Sequence, residues 1–175
     1  ALVPDLPIWA MMETPLGVLN ASEIAAHPRL AGFVMGTNDL AKDLNARGRE
    51  AMKTSLQLSL LAARAHGIAA LDGVFNAFKD DDGLAAECAE GRDMGFDGKS
   101  LVHPAQLPYA NDAYTPKASE VANAKEIIAA LSAANAAGRG TVLVNGQLIE
   151  HHHVIAAKRF LELSEMINEL ELDYV

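Results

Sequence analysis

Short apolar runs alternate with longer amphipathic stretches over the first hundred residues of this 175-residue chain. Short apolar runs bounded by Gly, Pro or Asp are typical of strands buried on both faces of a parallel sheet. They predict four strands, at residues 7–12, 30–35, 68–74 and 99–103. Because strands that alternate with helices form parallel sheets with right-handed crossovers, we expect an α/β fold.

The stretches between and after these runs carry helical patterns. The clearest is residues 50–66, where Met52, Leu56 and Leu60 recur at the spacing of one helix face and Gly67 follows as a C-cap. Further helices are predicted at residues 20–26 (capped by Ser22), 84–94, 116–135 and 153–169, together with a short strand at 141–145. The chain therefore consists of strand–helix units followed by a helical tail.

Two architectures are compatible with four such strands. A complete (β/α)₈ barrel takes roughly 250 residues, and an open four-stranded sheet has two edges that need cover. The chain is therefore either a small open α/β domain or the second half of a barrel. The pattern of residues alone leaves both open.

Composition limits which partners and which cellular compartment the chain is expected to have. Fourteen basic residues against 23 acidic ones give a net charge of −9, which argues against nucleic acid or an anionic membrane as a partner. Residues 1–10 lack the pattern of a secretory signal, and no apolar run reaches the length of a membrane helix. The single cysteine, Cys88, fits a reducing compartment. We expect a soluble, cytoplasmic protein.

Polar residues follow the predicted strands where ligands bind in parallel sheets. They are Glu13, Asp39, Asp72, Asn76 and His103. Glu13 and Asp39 lie 26 residues apart, one strand–helix–strand unit, so both are expected to face one cavity. Mg²⁺ typically takes one or two carboxylates and completes its octahedron with water and substrate oxygens. The alternative is that the two are helix-cap or turn residues.

Other candidate groups have simpler interpretations. His103 precedes Pro104 and is compatible with a residue that merely ends a strand. The three histidines 151–153 are adjacent and do not share a helix face, so they predict a solvated helix start rather than a chelate. The acidic residues 80–82 predict a solvated loop, and Cys88 a core position.

Four motifs, read together, carry a resemblance. They are METPLGVLN at 12–20, GTNDLA at 36–41, GFDGKSLVHPAQ at 95–106, and NGQLIE at 145–150, which follows Pro116 in a C-terminal extension. In this order they resemble the citrate lyase beta-subunit-like family of CoA-ester lyases, within the HpcH/HpaI aldolase superfamily, which includes malyl-CoA and citramalyl-CoA lyases. The resemblance covers nearly the whole chain.

The resemblance implies a fold. Family members are complete TIM (β/α)₈ barrels, and these motifs belong to their strands 5 to 8. Residues 1–115 are then the C-terminal half of the barrel. Residues 116–175 are an extension that contributes to a neighbouring subunit's site, which implies a homotrimer or a homohexamer.

The resemblance also implies a site. Glu13 and Asp39 are the ligands of Mg²⁺, with Mn²⁺ as the alternative ion. Substrate is contacted at six positions: Glu13, Gly36, Thr37, Asn38, Val102 and His103. The catalytic acid/base of the family is an aspartate of the extension, and Glu150 stands at the matching position. Glutamate is one methylene longer and titrates in a similar range.

The reaction expected from the resemblance is Mg²⁺-dependent, reversible cleavage of a 3-hydroxyacyl-CoA of the malyl-CoA or citramalyl-CoA type. The products are acetyl-CoA or propionyl-CoA and a 2-oxo acid such as glyoxylate or pyruvate. Two alternatives remain: a metal-dependent aldolase of 2-oxo acids without CoA, and a non-catalytic subunit that binds CoA esters.

Overall fold

The computed structural model describes residues 6–173, with side chains placed for residues 6–170. The chain divides into two compact units, Ala1–Tyr114 and Thr115–Val175, which are described separately below. The first contains the predicted sheet, and the second contains the predicted helical tail.

The sheet of the first unit has four parallel strands in the order β1-β2-β3-β4: β1 (Ile8–Met12), β2 (Leu30–Met35), β3 (Ala69–Asp72) and β4 (Gly98–Lys99). The predicted α/β fold with a parallel sheet is confirmed. The predicted fourth strand, 99–103, is wrong beyond Lys99 because the chain leaves the sheet there. The Ser100 N–H still donates to Asp72 O at 3.0 Å, but a 3-10 helix, Pro104–Gln106, soon follows.

Among residues 6–114, six α-helices accompany this sheet: α1 (Pro15–Leu19), α2 (Ala21–Ala25), α3 (Thr37–Leu44), α4 (Lys53–His66), α5 (Asp81–Met94) and α6 (Leu107–Tyr114). The predicted helix 50–66 is confirmed over α4, and Gly67 closes it with φ +68°. Its predicted start is a separate 3-10 helix, Arg49–Met52. Helices α1, α3 and α6 were not predicted.

Helix caps differ from the prediction in two places. Ser22 lies inside α2 and its hydroxyl contacts His66 Nε2 at 3.2 Å, so the predicted Ser22 cap is wrong. Residues 80–82 are not a loop. The Asp80 carboxylate accepts a hydrogen bond from Gly83 N at 3.0 Å and caps α5, whose first turn holds the other two aspartates. Carboxylates are favourable there because the helix dipole is positive at its N-terminus.

One face of the sheet is covered by helices and forms the core. Side chains that alternate along the strands point to this face and are buried: Met12, Phe33, Met35 and Ala70. They pack against residues of α1, α3 and α4, including Val18, Leu40, Leu56 and Leu60. A smaller cluster joins α5 to α6 through Leu84, Cys88 and Ala110, so the predicted core position of Cys88 is confirmed.

The opposite face of the sheet is apolar and open. Register pairs Trp9 with Gly32 and Met11 with Val34, which puts these residues on the face away from the core. The Trp9 ring lies over Gly32, where an added Cβ would be 2.7 Å from Trp9 Cε3. Trp9 is 47% and Met11 54% exposed. The first unit thus presents a wide apolar surface that its own helices do not cover.

The second unit is a helical pair with a hairpin. It contains α7 (Ala118–Ala136), β5 (Val142–Val144), β6 (Gln147–Ile149) and α8 (His151–Asp173). Both turn residues between the strands have positive φ, 51° at Asn145 and 80° at Gly146, as the Asn-Gly type I′ hairpin requires. Strand β6 was not predicted. No helix among residues 6–173 is both long and apolar enough to cross a bilayer.

Candidate functional site

Glu13 and Gly36 lie side by side where β1 and β2 end. The strands are in register up to Met12 and Met35, and Gly36 N donates to Met12 O at 3.1 Å. The half-buried Glu13 side chain lies across Gly36: a Cβ on residue 36 would collide with Glu13 Cβ and sit 2.9 Å from Glu13 Oε2. The sheet therefore brings a carboxylate directly against the backbone that begins α3.

The N-terminus of α3 is uncapped and carries Asp39 in its first turn. Gly36 is the N-cap and has no side chain to accept from the helix. The first N–H groups of a helix have no intrahelical acceptor and carry partial positive charge. The Asp39 carboxylate is 61% exposed and lies 3.9 Å from Lys42 Nζ. Asp39 thus lies inside the first turn of α3 and does not cap it, and its carboxylate oxygens are open to solvent.

Thr37, the first residue of α3, holds a buried polar atom. It is 6% exposed, and its Oγ1 has no hydrogen-bond partner in the described part of the chain. It packs against Gly73 just beyond β3, where a Cβ would be 2.5 Å from that oxygen. A buried hydroxyl without a partner is unfavourable, so a polar group supplied from outside would stabilise it.

These residues fit a hard divalent cation. They are Glu13 and Asp39, whose carboxylates offer the oxygen donors that Mg²⁺ prefers. Among residues 6–170 no group of three or more His, Cys, Asp or Glu side chains could hold a metal ion. Mg²⁺ does not require such a group, because it commonly binds through one or two carboxylates and substrate oxygens. Glu13 and Asp39 are the residues that would hold it.

Asn38 and Asn76 form a reciprocal pair beside this helix start. Asn76 Nδ2 donates to Asn38 Oδ1 at 2.6 Å, and Asn38 Nδ2 lies 3.4 Å from Asn76 Oδ1. The pair stands at a pocket of about 340 Å³ between α3, residues 48–52 and residues 74–77. Asn76 thus belongs to the same region as Asn38. The sequence alone indicated this only through the position of Asn76 after the third predicted strand.

Asp72 does not belong to the site. The sequence pattern placed it among the polar residues that follow the strands where ligands bind, and that prediction is wrong. It points to the helix-covered face, is fully buried, and pairs with Arg49 at 3.0 Å and with Lys99 at 2.9 Å. Lys99 is equally buried and also contacts Glu87 at 2.6 Å. The physical reason is strand alternation: Asp72 shares its face with Ala70, one of the core residues. These ions are structural.

The ion network extends outward from Asp72 along α5. Arg49 Nε donates to Glu90 at 2.5 Å, and Lys53 contacts Glu90 at 2.6 Å as well as Glu50. Burial by itself would lower the pKa of Arg49, but the hydrogen bond and charge of Asp72, with Glu90, outweigh burial and raise it. The hydrogen bond from Lys53 lowers the pKa of Glu90. Partial burial acts in the opposite direction, and the hydrogen bond from Arg49 lowers the pKa further.

Val102 and His103 lie in the segment after β4. This segment is held by the side chain of Gln106, a residue that the sequence pattern did not single out. Gln106 is buried, accepts from Val102 N at 3.0 Å, and donates to Phe75 O at 3.0 Å. It therefore ties the segment after β4 to the segment after β3. Gln106 follows His103-Pro104 in the motif, but only the structure reveals its bridging role.

His103 has a local structural role and an exposed ring. Its Nδ1 accepts from Ala105 N at 3.1 Å, which caps the 3-10 helix and leaves Nε2 to carry the proton of the neutral ring. The ring stacks on Phe78, with centroids 5.5 Å apart and planes at 28°. Lys79 Nζ lies 5.7 Å from the centroid of Phe78. A cation and two rings thus form one exposed cluster.

Glu150 belongs to the second unit, between β6 and α8. Its backbone N donates to His153 Nδ1 at 3.1 Å, and its half-exposed carboxylate lies 3.6 Å from His152 Nδ1. The adjacent histidines are the first residues of α8, as predicted. A carboxylate beside an imidazole has the groups needed for proton transfer.

Comparison with known proteins identifies relatives of the chain. The sequence profile of the HpcH/HpaI aldolase/citrate lyase family matches residues 3–104. A (3S)-malyl-CoA thioesterase of Cereibacter sphaeroides is 57% identical over 169 residues, which are 95% of this chain and 59% of that protein. The citrate lyase subunit beta of Leuconostoc mesenteroides is 38% identical over 90% of this chain and 53% of its own length.

A solved structure has a similar fold. The CitE protein of Mycobacterium tuberculosis, crystallised with magnesium, acetoacetate and coenzyme A, aligns with a TM-score of 0.78 at 28% identity. The alignment covers 94% of this chain and 63% of that one. The chain therefore spans about three fifths of the length of the thioesterase and of this structural relative.

Proposed function

The chain belongs to the HpcH/HpaI aldolase/citrate lyase family, and from that premise we propose that it acts on CoA thioesters of the malyl-CoA type with Mg²⁺ held by Glu13 and Asp39. One observation carries the proposal most directly. The carboxylate of Glu13 lies against Gly36, and the helix that begins there is uncapped and holds Asp39 in its first turn. A carboxylate and free N–H donors lie side by side at the end of two neighbouring strands, which supports the proposal.

The four parallel strands are, in this proposal, strands 5 to 8 of a (β/α)₈ barrel. The open apolar face around Trp9 and Met11 supports this, because the inside of a barrel is filled by side chains from all its strands. The length of the relatives supports it as well, since this chain covers 59% of the thioesterase. Residues 116–175 would be the extension that reaches a neighbouring subunit in a trimer or hexamer.

Each group of the chain has a role in the proposed chemistry. A bound Mg²⁺ supplies a Lewis acid that polarises a substrate carbonyl. The N–H groups that begin α3, from Thr37 to Asp39, bind the substrate carboxylate or stabilise a developing oxyanion. The exposed cluster of His103, Phe78 and Lys79, together with Val102, contacts the CoA part of the substrate. Glu150 moves a proton between substrate and solvent in a neighbouring site.

Two reactions of one substrate are candidates. Hydrolysis breaks the C–S bond: a water oxygen bonds to the thioester carbon, and malate and the thiol of CoA leave. The 57% identity to (3S)-malyl-CoA thioesterases favours it. Cleavage instead breaks a C–C bond: the 3-hydroxyl loses its proton, a 2-oxo acid leaves, and the acetyl-CoA enolate takes up a proton. The citrate lyase relatives at 38% identity favour that reaction.

Product analysis tests the proposal. (3S)-Malyl-CoA and Mg²⁺ are incubated with the chain alone, and with the chain completed by the N-terminal part of the Cereibacter thioesterase. Free CoA and malate indicate a hydrolase, whereas acetyl-CoA and glyoxylate indicate the lyase. Turnover of a free hydroxy-oxo acid alone would indicate a CoA-independent aldolase. Binding of malyl-CoA without turnover would indicate a non-catalytic subunit, and either result overturns the proposed function.

The role of Glu150 has its own test. Glu150→Gln and Asp39→Asn are each expected to lose activity, because one lacks the proton-transfer group and the other a metal ligand. If a site is shared between subunits, mixing the two variants should restore part of the activity, since some mixed sites then contain both intact groups. Mixed oligomers that stay inactive would exclude a shared site.

A further inference from the structure

We propose that Asn76 is a positioning residue for the substrate-binding end of α3, acting through the side chain of Asn38. The inference rests on the proposed function, because it concerns how that site is held. Asn76 lies in the segment after β3, outside the motifs that resemble the family. It reaches 38 residues back along the chain to Asn38.

The contact is directional. Asn76 Nδ2 donates to Asn38 Oδ1 at 2.6 Å, and the second contact, from Asn38 Nδ2 to Asn76 Oδ1, is longer at 3.4 Å. Facing amides of this kind use one N–H and one lone pair each. The second N–H of Asn38 is therefore turned away from the pair and is available as a donor to a ligand.

The neighbourhood explains why α3 benefits from such a tie. Behind the pair lies the pocket of about 340 Å³, lined on one side by Thr37, Asn38 and Ala41 and on the other by residues 74–77. Thr37 packs against Gly73 just beyond β3, but from Asn38 onward the pocket separates α3 from residues 74–77. The amide pair spans the gap and links the two segments.

Folding stability does not account for the pair. Both asparagines are exposed, and water competes for exposed amides, so the pair adds little to the free energy of unfolding. Its position is the informative feature. Asn38 stands between Thr37, whose buried hydroxyl lacks a partner in the described chain, and the proposed metal ligand Asp39. Fixing Asn38 fixes the backbone of both neighbours.

Two substitutions separate positioning from packing. Asn76→Ala removes the donor. Asn76→Leu keeps the size and adds no charge, but it cannot donate to Asn38 Oδ1. Positioning predicts that both changes weaken ligand binding by a similar factor, whereas a packing role predicts that Asn76→Leu leaves binding unchanged. The matched control is Asn123→Ala, which removes the acceptor of an exposed 3.4 Å Asn–Asn contact in the second unit.

Binding and kinetics are measured on the chain completed as above. The binding probe is oxalate with Mg²⁺, a planar dicarboxylate with the chelating oxygens of a 2-oxo acid. We expect Asn76→Ala and Asn76→Leu each to weaken oxalate binding about threefold, because an exposed hydrogen bond contributes at the lower end of the usual range. KM for malyl-CoA should rise by a similar factor in both variants, with kcat changing less and the thermal midpoint of unfolding unchanged.

The outcomes separate this inference from the proposed function. Weakened oxalate binding in both Asn76 variants, in a protein without thioester turnover, supports the role of Asn76 and rejects the proposed function. Normal turnover with both Asn76 variants binding oxalate like the unaltered chain rejects the role of Asn76 alone. If the unaltered chain does not bind oxalate with Mg²⁺, both are overturned.

Discussion

The Glu13 side chain occupies the space that a Cβ on residue 36 would need, so the identity of residue 36 controls where a carboxylate lies. The φ of Gly36 is −87°, which any residue adopts, and glycine is required here for space rather than for backbone freedom. The clash is with Glu13 Cβ, close to the backbone, and not with a flexible side-chain tip.

Gly36→Ala is therefore expected to displace Glu13 and weaken Mg²⁺ binding at least about tenfold, since misplacing a ligand by a fraction of an ångström is enough. Isothermal calorimetry with Mg²⁺ and oxalate measures the change. Gly140→Ala is the control, because a Cβ there meets nothing within 4 Å. Unchanged affinity in Gly36→Ala would contradict the geometry of the site.

Removing either carboxylate tests the metal ligands. Glu13→Gln and Asp39→Asn keep the side-chain size but remove the charge that holds the ion, so we expect metal-dependent turnover to fall about a hundredfold or more. Asp43→Asn, an exposed position on the same helix, should leave turnover within twofold. Turnover is measured over a range of Mg²⁺ concentrations. Equal turnover in all three variants would exclude the assigned ligands.

A pH dependence follows from Glu90. Its pKa is lowered in the folded chain by hydrogen bonds from Lys53 and Arg49, so its contribution to stability is present above its ordinary pKa of 4.5 and is lost as pH falls below that value. Between pH 6 and pH 3.5, Glu90→Gln should therefore lose less unfolding free energy than the unaltered chain does. Urea unfolding at each pH measures this, with the 83% exposed Glu50 changed to Gln as the control.

At the scale of elements, the buried ions hold β3 and β4 to α5. Lys99 contacts Asp72 and Glu87 with no solvent exposure of its side chain. We expect Lys99→Met to lower the free energy of unfolding by about 3–5 kcal/mol, because two carboxylates lose their shared partner. Lys53→Met, in the exposed part of the same network, should cost much less, because water screens its ion pairs. Similar losses in both variants of a urea titration would contradict this.

Sequence patterns predicted the elements whose signals are strong and local. The apolar run Leu30–Met35 is β2, and the repeat of Leu56 and Leu60 followed by Gly67 marks α4. Helix α3 was missed because it is eight residues long, mostly polar, and begins without a capping side chain. Strand β6 was missed because three residues offer no period. Tertiary packing decides such short segments, and propensity does not.

The candidate site was predictable only in part for a similar reason. Spacing correctly placed Glu13 and Asp39 after neighbouring strands. It also placed Asp72 there, because a continuous apolar run does not tell which face each residue takes. The contacts of Asn76 and Gln106 depend on side-chain direction across loops distant in sequence, and no periodic signal records that.

At the scale of the whole molecule, the open face of the sheet is the feature to test. Trp9 is the chain's only tryptophan and lies on that face, 47% exposed. If the strands are half of a barrel, adding the N-terminal part of the Cereibacter thioesterase should bury Trp9 and shift its fluorescence emission to shorter wavelength. Binding of a hydrophobic dye to the chain should fall in parallel, because less apolar surface remains in water.

The control for this experiment is Trp9→Phe, which keeps the face apolar and removes the emission, so that any remaining shift comes from the added segment. An emission maximum that stays at the wavelength of a water-exposed indole, with dye binding unchanged, would favour the small open α/β domain over the half-barrel.

The single thiol, Cys88, lies fully enclosed between α5 and α6, and burial raises its pKa. A thiolate is the reactive form, so disulfide-type colour reagents should find nothing to modify while those two helices stay together. If the proposed hydrolysis takes place, the CoA thiol that it releases can be counted by such a reagent without background from Cys88. The slow colour that develops in the absence of substrate then measures how often α5 and α6 separate.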